Sequence, residues 1–391
     1  MTLRIPKTLV VSSSVYPKRS GSAIVVEKLV DAFSSDEVTL FGELGLFDSP
    51  IQRDNTKPKF FCCRTRFSLF GRGGRFFSGL RWKLHRRIVR KIRQAATSEK
   101  CTHIVGVYPD EVYCSAALRA AQELGIGFST YFHNTFADNQ ELAGTFRDKL
   151  QDEIFRTAKT IFTMSQGMND YFLDRYGPVY GNDKMVVLPH SYGEEPELKT
   201  NEPERGTKKR IVIFGNFNES NLDATTRLAK AVADLPDFEL HIFTDVPRWL
   251  LSKRGLPVDS MVVNPGMGNL SFQSLIDKLR EYDIVGLTHG FTGGYGPVEY
   301  QTIFPTRTIP ILLSGRPILV HAPSESFVST FFQPLAEFSV SCASKNTDEV
   351  KKAVQSVSNL PPHNFGVLRQ QVCRQFHIDE VTQTLTNTLN R

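Results

Sequence analysis

Residues 283–323, DIVGLTHGFTGGYGPVEYQTIFPTRTIPILLSGRPILVHAP, constrain the fold more than any other stretch of this chain. The apolar run at 283–287 has the length of a buried strand, and 289–305 reads as a loop carrying Gly290, Gly293, Gly294 and Gly296. A helix is expected to begin at Thr306-Arg307 and to end at Ser314-Gly315, with a second buried strand at 318–320. Two buried strands joined so closely through a helix form a right-handed crossover between parallel neighbours, and such sheets take their ligands at the carboxyl ends of the strands. The glycines let backbone approach a ligand closely. The Thr306 hydroxyl, the first N–H groups of the helix and the Arg307 guanidinium are then expected to meet one anion of diphosphate size.

The same alternation extends through the rest of the chain. Strands are expected at 8–12, 37–41, 103–107, 127–132, 160–164 and 184–188, with helices at 23–34, 80–95, 112–124 and 148–157. A second series has strands at 210–214, 239–244, 261–264, 283–287, 318–320 and 338–342, with helices at 222–234, 347–356, 365–376 and 379–390. This pattern means α/β domains with parallel sheets. At 391 residues the chain exceeds what one core usually sustains. The polar, proline-bearing stretch 191–209 reads as a linker, so the expected domains are 1–190 and 210–375, with 376–391 a last helix that crosses back to the first domain. A nicotinamide or flavin fold is set aside: the loops after the two opening strands, 12–22 and 215–221, hold one glycine each where G-x-G-x-x-G needs three.

The turns Pro305-Thr306-Arg307 and Gly315-Arg316-Pro317 resemble the Pro-Ser-Lys-like and Gly-Lys-Pro-like turns in the donor-binding half of GT-B glycosyltransferases, especially glycosyltransferase family 4 and its relatives. The resemblance is specific over 283–323 and architectural over most of the chain. It implies an α/β, GT-B fold of two Rossmann-like domains whose parallel sheets face a central cleft. It implies a hexosyltransferase-like enzyme of glycan biosynthesis, taking a nucleotide-diphosphate sugar to a glycan, lipid-linked or small-molecule acceptor. Metal-independent, retaining transfer is expected, with the leaving phosphate accepting the acceptor's proton, because no well-placed carboxylate base stands out. No cofactor is expected beyond that donor substrate.

The resemblance also assigns residues. Gly21-Ser22 stands in for a Gly-Gly turn against the donor phosphate, and Asn216 follows the first strand of the second domain. His289, Gly293, Gly294, Gly296, Thr306 and Arg307 complete the donor-binding set. His133 is the histidine presented to the sugar, the catalytic candidate; the other reading is a histidine hydrogen-bonded at a strand end. The other reading of His289 is a loop residue without a ligand, and Pro189-His190 is expected to act as a hinge. The chain departs from the family pattern twice. Pro310 stands where a glutamate usually holds the ribose, leaving Glu299 or Thr302 as substitutes, and Asn216-Phe217-Asn218-Glu219 replaces the Arg and Lys of the phosphate clamp. Those departures support an alternative, a catalytically degenerate nucleotide- or sugar-binding partner subunit.

Charge is distributed unevenly. Residues 60–98 hold eleven Lys and Arg and no Asp or Glu, which leaves the other residues at −5 against a chain total of +6. Aromatic residues interleave with the arginines there, so the run from Arg72 to Arg93 is a candidate surface for anionic lipid headgroups. A solvated basic helix packed by Leu84, Ile88 and Ile92 is the plainer reading, and nucleic acid is the least favoured partner. Six scattered cysteines, nine scattered histidines and the lack of an Asp-x-Asp pattern point to free thiols and no metal. With no secretory or membrane-spanning run, the expected location is cytoplasmic, peripheral on the inner face of a membrane if the basic run docks.

Overall fold

A computed structural model describes residues 4–18, 20–45, 48, 54, 56–65, 78–108, 110–135, 138, 145–193, 195–197, 206–291, 297–361 and 372–391. The chain divides into two compact units, Met1–Gly193 with Gln375–Arg391, and Glu194–Arg374.

Unit 1 runs β1 (Thr8–Ser12), α1 (Gly21–Asp31), β2 (Val38–Gly45), β3 (Lys59–Thr65), α2 (Ser78–Lys83), α3 (His85–Ser98), β4 (His103–Tyr108), α4 (Glu111–Leu124), β5 (Gly127–Phe132), α5 (Thr145–Thr157), β6 (Ile161–Thr163), α6 (Gln166–Tyr180) and β7 (Met185–Val187). Unit 2 runs β8 (Lys209–Phe214), α7 (Leu222–Ala233), β9 (Phe238–Thr244), α8 (Arg248–Lys253), β10 (Val262–Pro265), α9 (Phe272–Arg280), β11 (Ile284–Thr288), α10 (Pro297–Thr302), α11 (Thr308–Leu313), β12 (Ile318–His321), α12 (Phe327–Phe332), β13 (Ser339–Cys342) and α13 (Thr347–Val357). The final helix, α14 (Ile378–Leu389), belongs to unit 1.

Both sheets are parallel throughout. Unit 1 orders its strands β3-β2-β1-β4-β5-β6-β7 and unit 2 orders them β10-β9-β8-β11-β12-β13. Counted within each unit, both begin 3-2-1-4-5-6, the order of doubly wound nucleotide-binding folds. The direction of winding therefore reverses between β1 and β4 in unit 1 and between β8 and β11 in unit 2. Loops leave such a pair toward opposite faces, and the crevice they open is where ligands bind.

The inner strands form because their β-branched side chains are buried on both faces, as in β1 (Thr8–Ser12) and β4, which expose nothing. One face of unit 1 is filled from α3, α4, α5 and α6 around Ile92, Ala117, Phe155 and Phe172. The other is filled from α1 and α14, with Val26, Val30, Val381 and Leu385 in one core. Helix ends are fixed locally. Asp110 caps α4 by accepting from the N–H groups of Val112 (3.0 Å) and Tyr113 (3.2 Å), and Gly125, at φ 65°, closes it in the left-handed region.

Several elements differ from the sequence expectation, among them helices α8, α9 and α12, where none was expected. Strand β3 lies at the start of the basic segment, where Phe60-Phe61-Cys62-Cys63-Arg64-Thr65 shows no polar–apolar alternation. The helix expected at 80–95 is broken into α2 and α3 by a turn in which Leu84 N donates to Arg81 O at 2.9 Å. Helix α6 was not foreseen, although Ser165 caps it through Met168 N at 3.0 Å and Met168 and Phe172 face the core. The stretch read as a loop to 305 contains α10. Most of the helix expected at 365–376 lies outside the described residues.

Candidate functional site

In unit 2, β8 and β11 are parallel neighbours, and Gly215, Arg307 and His289 gather at their carboxyl ends. Gly215 follows β8 at φ 117°, a conformation that a side chain would strain. A Cβ added there would lie 3.2 Å from Nη1 of Arg307, so the guanidinium sits directly over the end of β8. Arg307 Nη2 donates to the carbonyl of Thr288, the last residue of β11, at 2.8 Å. The side chain keeps some surface, while its guanidinium is withdrawn from water far enough to lower its pKa to about 10. It stays charged at neutral pH, and among the described residues no carboxylate pairs with it. A desolvated cation that lacks a counter-ion favours binding an anion.

Beside it stands His289, buried, with Nε2 lacking a hydrogen-bond partner among the described residues. Burial first and the Arg307 charge second push its pKa down to about 4, so it is a neutral imidazole. Its loop is fastened from behind. Gly290 N donates to Ser220 O at 2.6 Å, and a Cβ on Gly290 would lie 2.8 Å from that oxygen. Phe291 N donates to both Asp223 oxygens (3.2 and 3.1 Å), Asp223 pairs with Arg227 at 3.2 Å, and Arg227 Nε donates to His321 Nε2 at 3.2 Å. His321 in turn donates from Nδ1 to Cys342 O at 2.8 Å. The sequence reading missed this Asp223–Arg227–His321 relay; the i,i+4 spacing of Asp223 and Arg227 was its one visible signal.

The other unit-2 candidates fare differently. Asn216 is exposed, and its carbonyl accepts from Asn221 Nδ2 at 3.2 Å in a closed turn that replaces the basic clamp. Thr306 lies in the turn ahead of α11. That helix starts at Thr308 rather than at Thr306, runs six residues, and its first N–H is already bonded to Pro305 O at 2.9 Å. The helix therefore begins two residues later than expected, with the Arg307 side chain, beside Gly215, just ahead of it. Pro310 is accommodated in the first turn of α11, where its missing N–H costs little. Thr302 is buried and donates to the carbonyls of Val298 (2.6 Å) and Glu299 (3.2 Å) in its own helix, so its hydroxyl is not free for a ribose. Gly293, Gly294 and Gly296 lie outside the described residues.

Unit 1 brings together Ser22 and His133. Ser20 caps α1 by accepting from Ala23 N at 3.2 Å, which leaves the N–H groups of Gly21 and Ser22 without intrahelical acceptors. The Ser22 hydroxyl lies 2.7 Å from His133 Nδ1, just past the end of β5. His133 is buried, packs edge-on against Tyr131, and its Nε2 has no partner among the described residues. Burial, aided by His190, pushes its pKa down to about 3. If Ser22 donates to Nδ1, the neutral ring carries its proton on Nε2, a buried donor ready for an incoming oxygen. His190, the hinge candidate, is also buried and stacks on Phe376.

Nearby, four charged groups close on one another. Lys18 Nζ donates to Glu43 Oε2 and to Ser13 O, both at 2.7 Å. Arg81 donates from Nη1 to Glu43 Oε1 at 2.7 Å and from Nη2 to Asp110. Lys18 is thus tied to the core instead of solvated, and Arg81, one of the basic run, points inward. Glu43 and Asp110 escaped the sequence reading because a buried ion pair leaves no pattern in composition.

No family model matches this sequence, and no curated protein matches it. Among solved structures it resembles sucrose-phosphate synthase from Thermosynechococcus elongatus, at TM-score 0.69 and 14% identity over 99% of this chain and 98% of that one. It also resembles the lipopolysaccharide outer core galactosyltransferase WaaB, at TM-score 0.63 and 13% identity over 98% of each chain. Anabaena HepE, solved in complex with UDP, aligns at TM-score 0.62 and 11% identity over 98% of each chain. With two parallel, doubly wound units over nearly its whole length, the chain has the GT-B fold.

Proposed function

We propose that this protein is a glycosyltransferase that takes a sugar from a nucleotide-diphosphate donor to a glycan, lipid-linked or small-molecule acceptor, without a metal ion and with retention of configuration. The observation that carries the reading is Arg307, a desolvated cation without a carboxylate partner among the described residues, held over Gly215 at the winding reversal of unit 2. A diphosphate leaving group needs such a charge, and in a site shielded from water one fixed cation does more than several in solvent. The solved neighbours, a sucrose-phosphate synthase, a galactosyltransferase and a protein in complex with UDP, support the substrate class.

In this reading Arg307 takes the diphosphate, and the neutral His289 beside it adds a contact from Nε2. His133, oriented by Ser22, donates from Nε2 to a sugar hydroxyl; it is too weak a base, at a pKa of about 3, to remove the acceptor's proton. That proton goes to the departing phosphate oxygen as the anomeric C–O bond breaks and the new one forms on the same face. The retaining course rests on the resemblance at 283–323.

Arg307→Ala is expected to weaken nucleotide-sugar binding about 30-fold or more, from the roughly 2–3 kcal/mol of a hydrogen bond to a charged group. Calorimetric titration checks it, with circular dichroism to establish that the variant is folded. Unchanged affinity refutes the assignment.

A further inference from the structure

The basic run keeps its apolar side for the fold and its charges for something else. On α3, Ile88, Val89, Ile92, Ala95 and Ala96 are buried, so this helix has no apolar stripe left to insert anywhere. Arg86, Arg90 and Arg93 form one exposed stripe at i, i+4 and i+7, and Arg87 and Lys91 form a second beside it. Arg119 on α4 faces the first stripe across a groove of about 520 Å³, whose acidic lining residues are Glu123 and Glu153. Glu123 answers Arg93 at 2.9 Å and Arg119 at 3.5 Å. Among the described residues, no carboxylate lies within ion-pair distance of Arg86, Arg87, Arg90 or Lys91. Like charges one turn apart destabilise a helix, and among the described residues no ion pair offsets Arg86 and Arg90 or Arg87 and Lys91.

At the start of this face stands an aromatic pair. Trp82 meets Phe146 edge-on at 5.0 Å and stacks on His85 at 5.4 Å, and Phe146, at the start of α5, is 55% exposed. An exposed ring beside a stripe of arginines is the pattern of a surface that lies at a lipid–water boundary, where rings sit at headgroup depth and guanidinium groups pair with phosphates.

We propose that the exposed face of α3, with Arg119 and the Trp82–Phe146 pair, docks unit 1 on an anionic lipid bilayer. The contact is with headgroups and is electrostatic, because the apolar side of α3 is committed to the core. It stands apart from the donor-site reading and is tested without any sugar transfer.

The test is flotation of the whole chain with vesicles of phosphatidylcholine alone and of an equal mixture with phosphatidylglycerol, at low and high salt. Binding is expected only to the anionic vesicles and is expected to fade at high salt. The double variant Arg86→Gln, Arg90→Gln should partition about 25-fold less, some fivefold for each charge removed. In a Trp249→Phe protein, Trp82 is the one remaining tryptophan, and its emission should shift to the blue on the anionic vesicles. Equal binding to neutral vesicles, no binding at low salt, or an unmoved partition in a folded double variant each overturns the proposal. So does tighter binding to single-stranded nucleic acid than to the anionic vesicles.

Discussion

Taking the protein from pH 7 to pH 5 should remove much of the stability of unit 1, because three of its histidines are held neutral in the core. Burial pushes His103 down to about 4 and both His133 and His190 to about 3, helped by Lys159, His190 and Lys28 respectively. An unfolded histidine titrates near 6.5. As the pH falls below that value, the unfolded chain takes up protons that the folded unit refuses, so stability is lost until the folded pKa values are reached. At pH 5 each histidine has cost about 2 kcal/mol, and the three together about 6 kcal/mol. Glu43 acts the other way: burial raises its pKa, so acidification favours its folded form over part of the same range. Against a usual stability of about 5–15 kcal/mol the net loss is large, and for a unit near 200 residues it lowers Tm by roughly 12–24 °C. The assay is thermal unfolding followed by circular dichroism in buffers of matched ionic strength, with His133→Gln expected to recover about a third of the loss. A Tm at pH 5 within a few degrees of that at pH 7 would refute the claim that these rings are neutral and enclosed.

Three further outcomes follow from the geometry. Gly215→Ala puts a side chain at φ 117° and presses on Arg307, so it should cost about 1–2 kcal/mol of stability and weaken nucleotide-sugar binding beyond that, as read by urea unfolding and titration together. Arg81→Met leaves Glu43 and Asp110 buried without their shared cation and should destabilise unit 1 by about 3–5 kcal/mol, measured as a lower urea midpoint. Ser22→Ala removes the partner of His133 Nδ1 and should lower turnover more than it lowers Tm, whose change corresponds to about 1 kcal/mol; equal turnover would show that the pair is structural.

The fold was legible because buried parallel strands are apolar on both faces and stand out as runs. The expected strands at 8–12, 127–132 and 210–214 coincide with β1, β5 and β8 to within a residue. Short helices were not legible: α8, α10 and α12 each span six residues, less than two turns, and their periodicity never accumulates. Strand β3, at the edge of its sheet, has its apolar residues in one run at 60–63 without a polar–apolar alternation. At the site, Arg307 was singled out from the Pro305-Thr306-Arg307 turn and His133 from its place after a strand, and the Arg307 guanidinium and the His133 ring are both withdrawn from water. Lys18, Glu43, Arg81 and Asp110 were not, since their pairing joins positions up to 38 residues apart, and only the folded sheet brings these together. At the start of α11 the turn at Pro305 already uses the N–H of Thr308.

The most direct test of the central claim is calorimetric titration of the purified protein, in excess chelator, with a panel of nucleotide-diphosphate sugars. The account predicts that at least one donor binds without metal, that it releases its sugar slowly, and that Arg307→Ala weakens the binding about 30-fold or more and slows that release. Failure of every donor to bind, or binding that appears only when a divalent metal is restored, would contradict it.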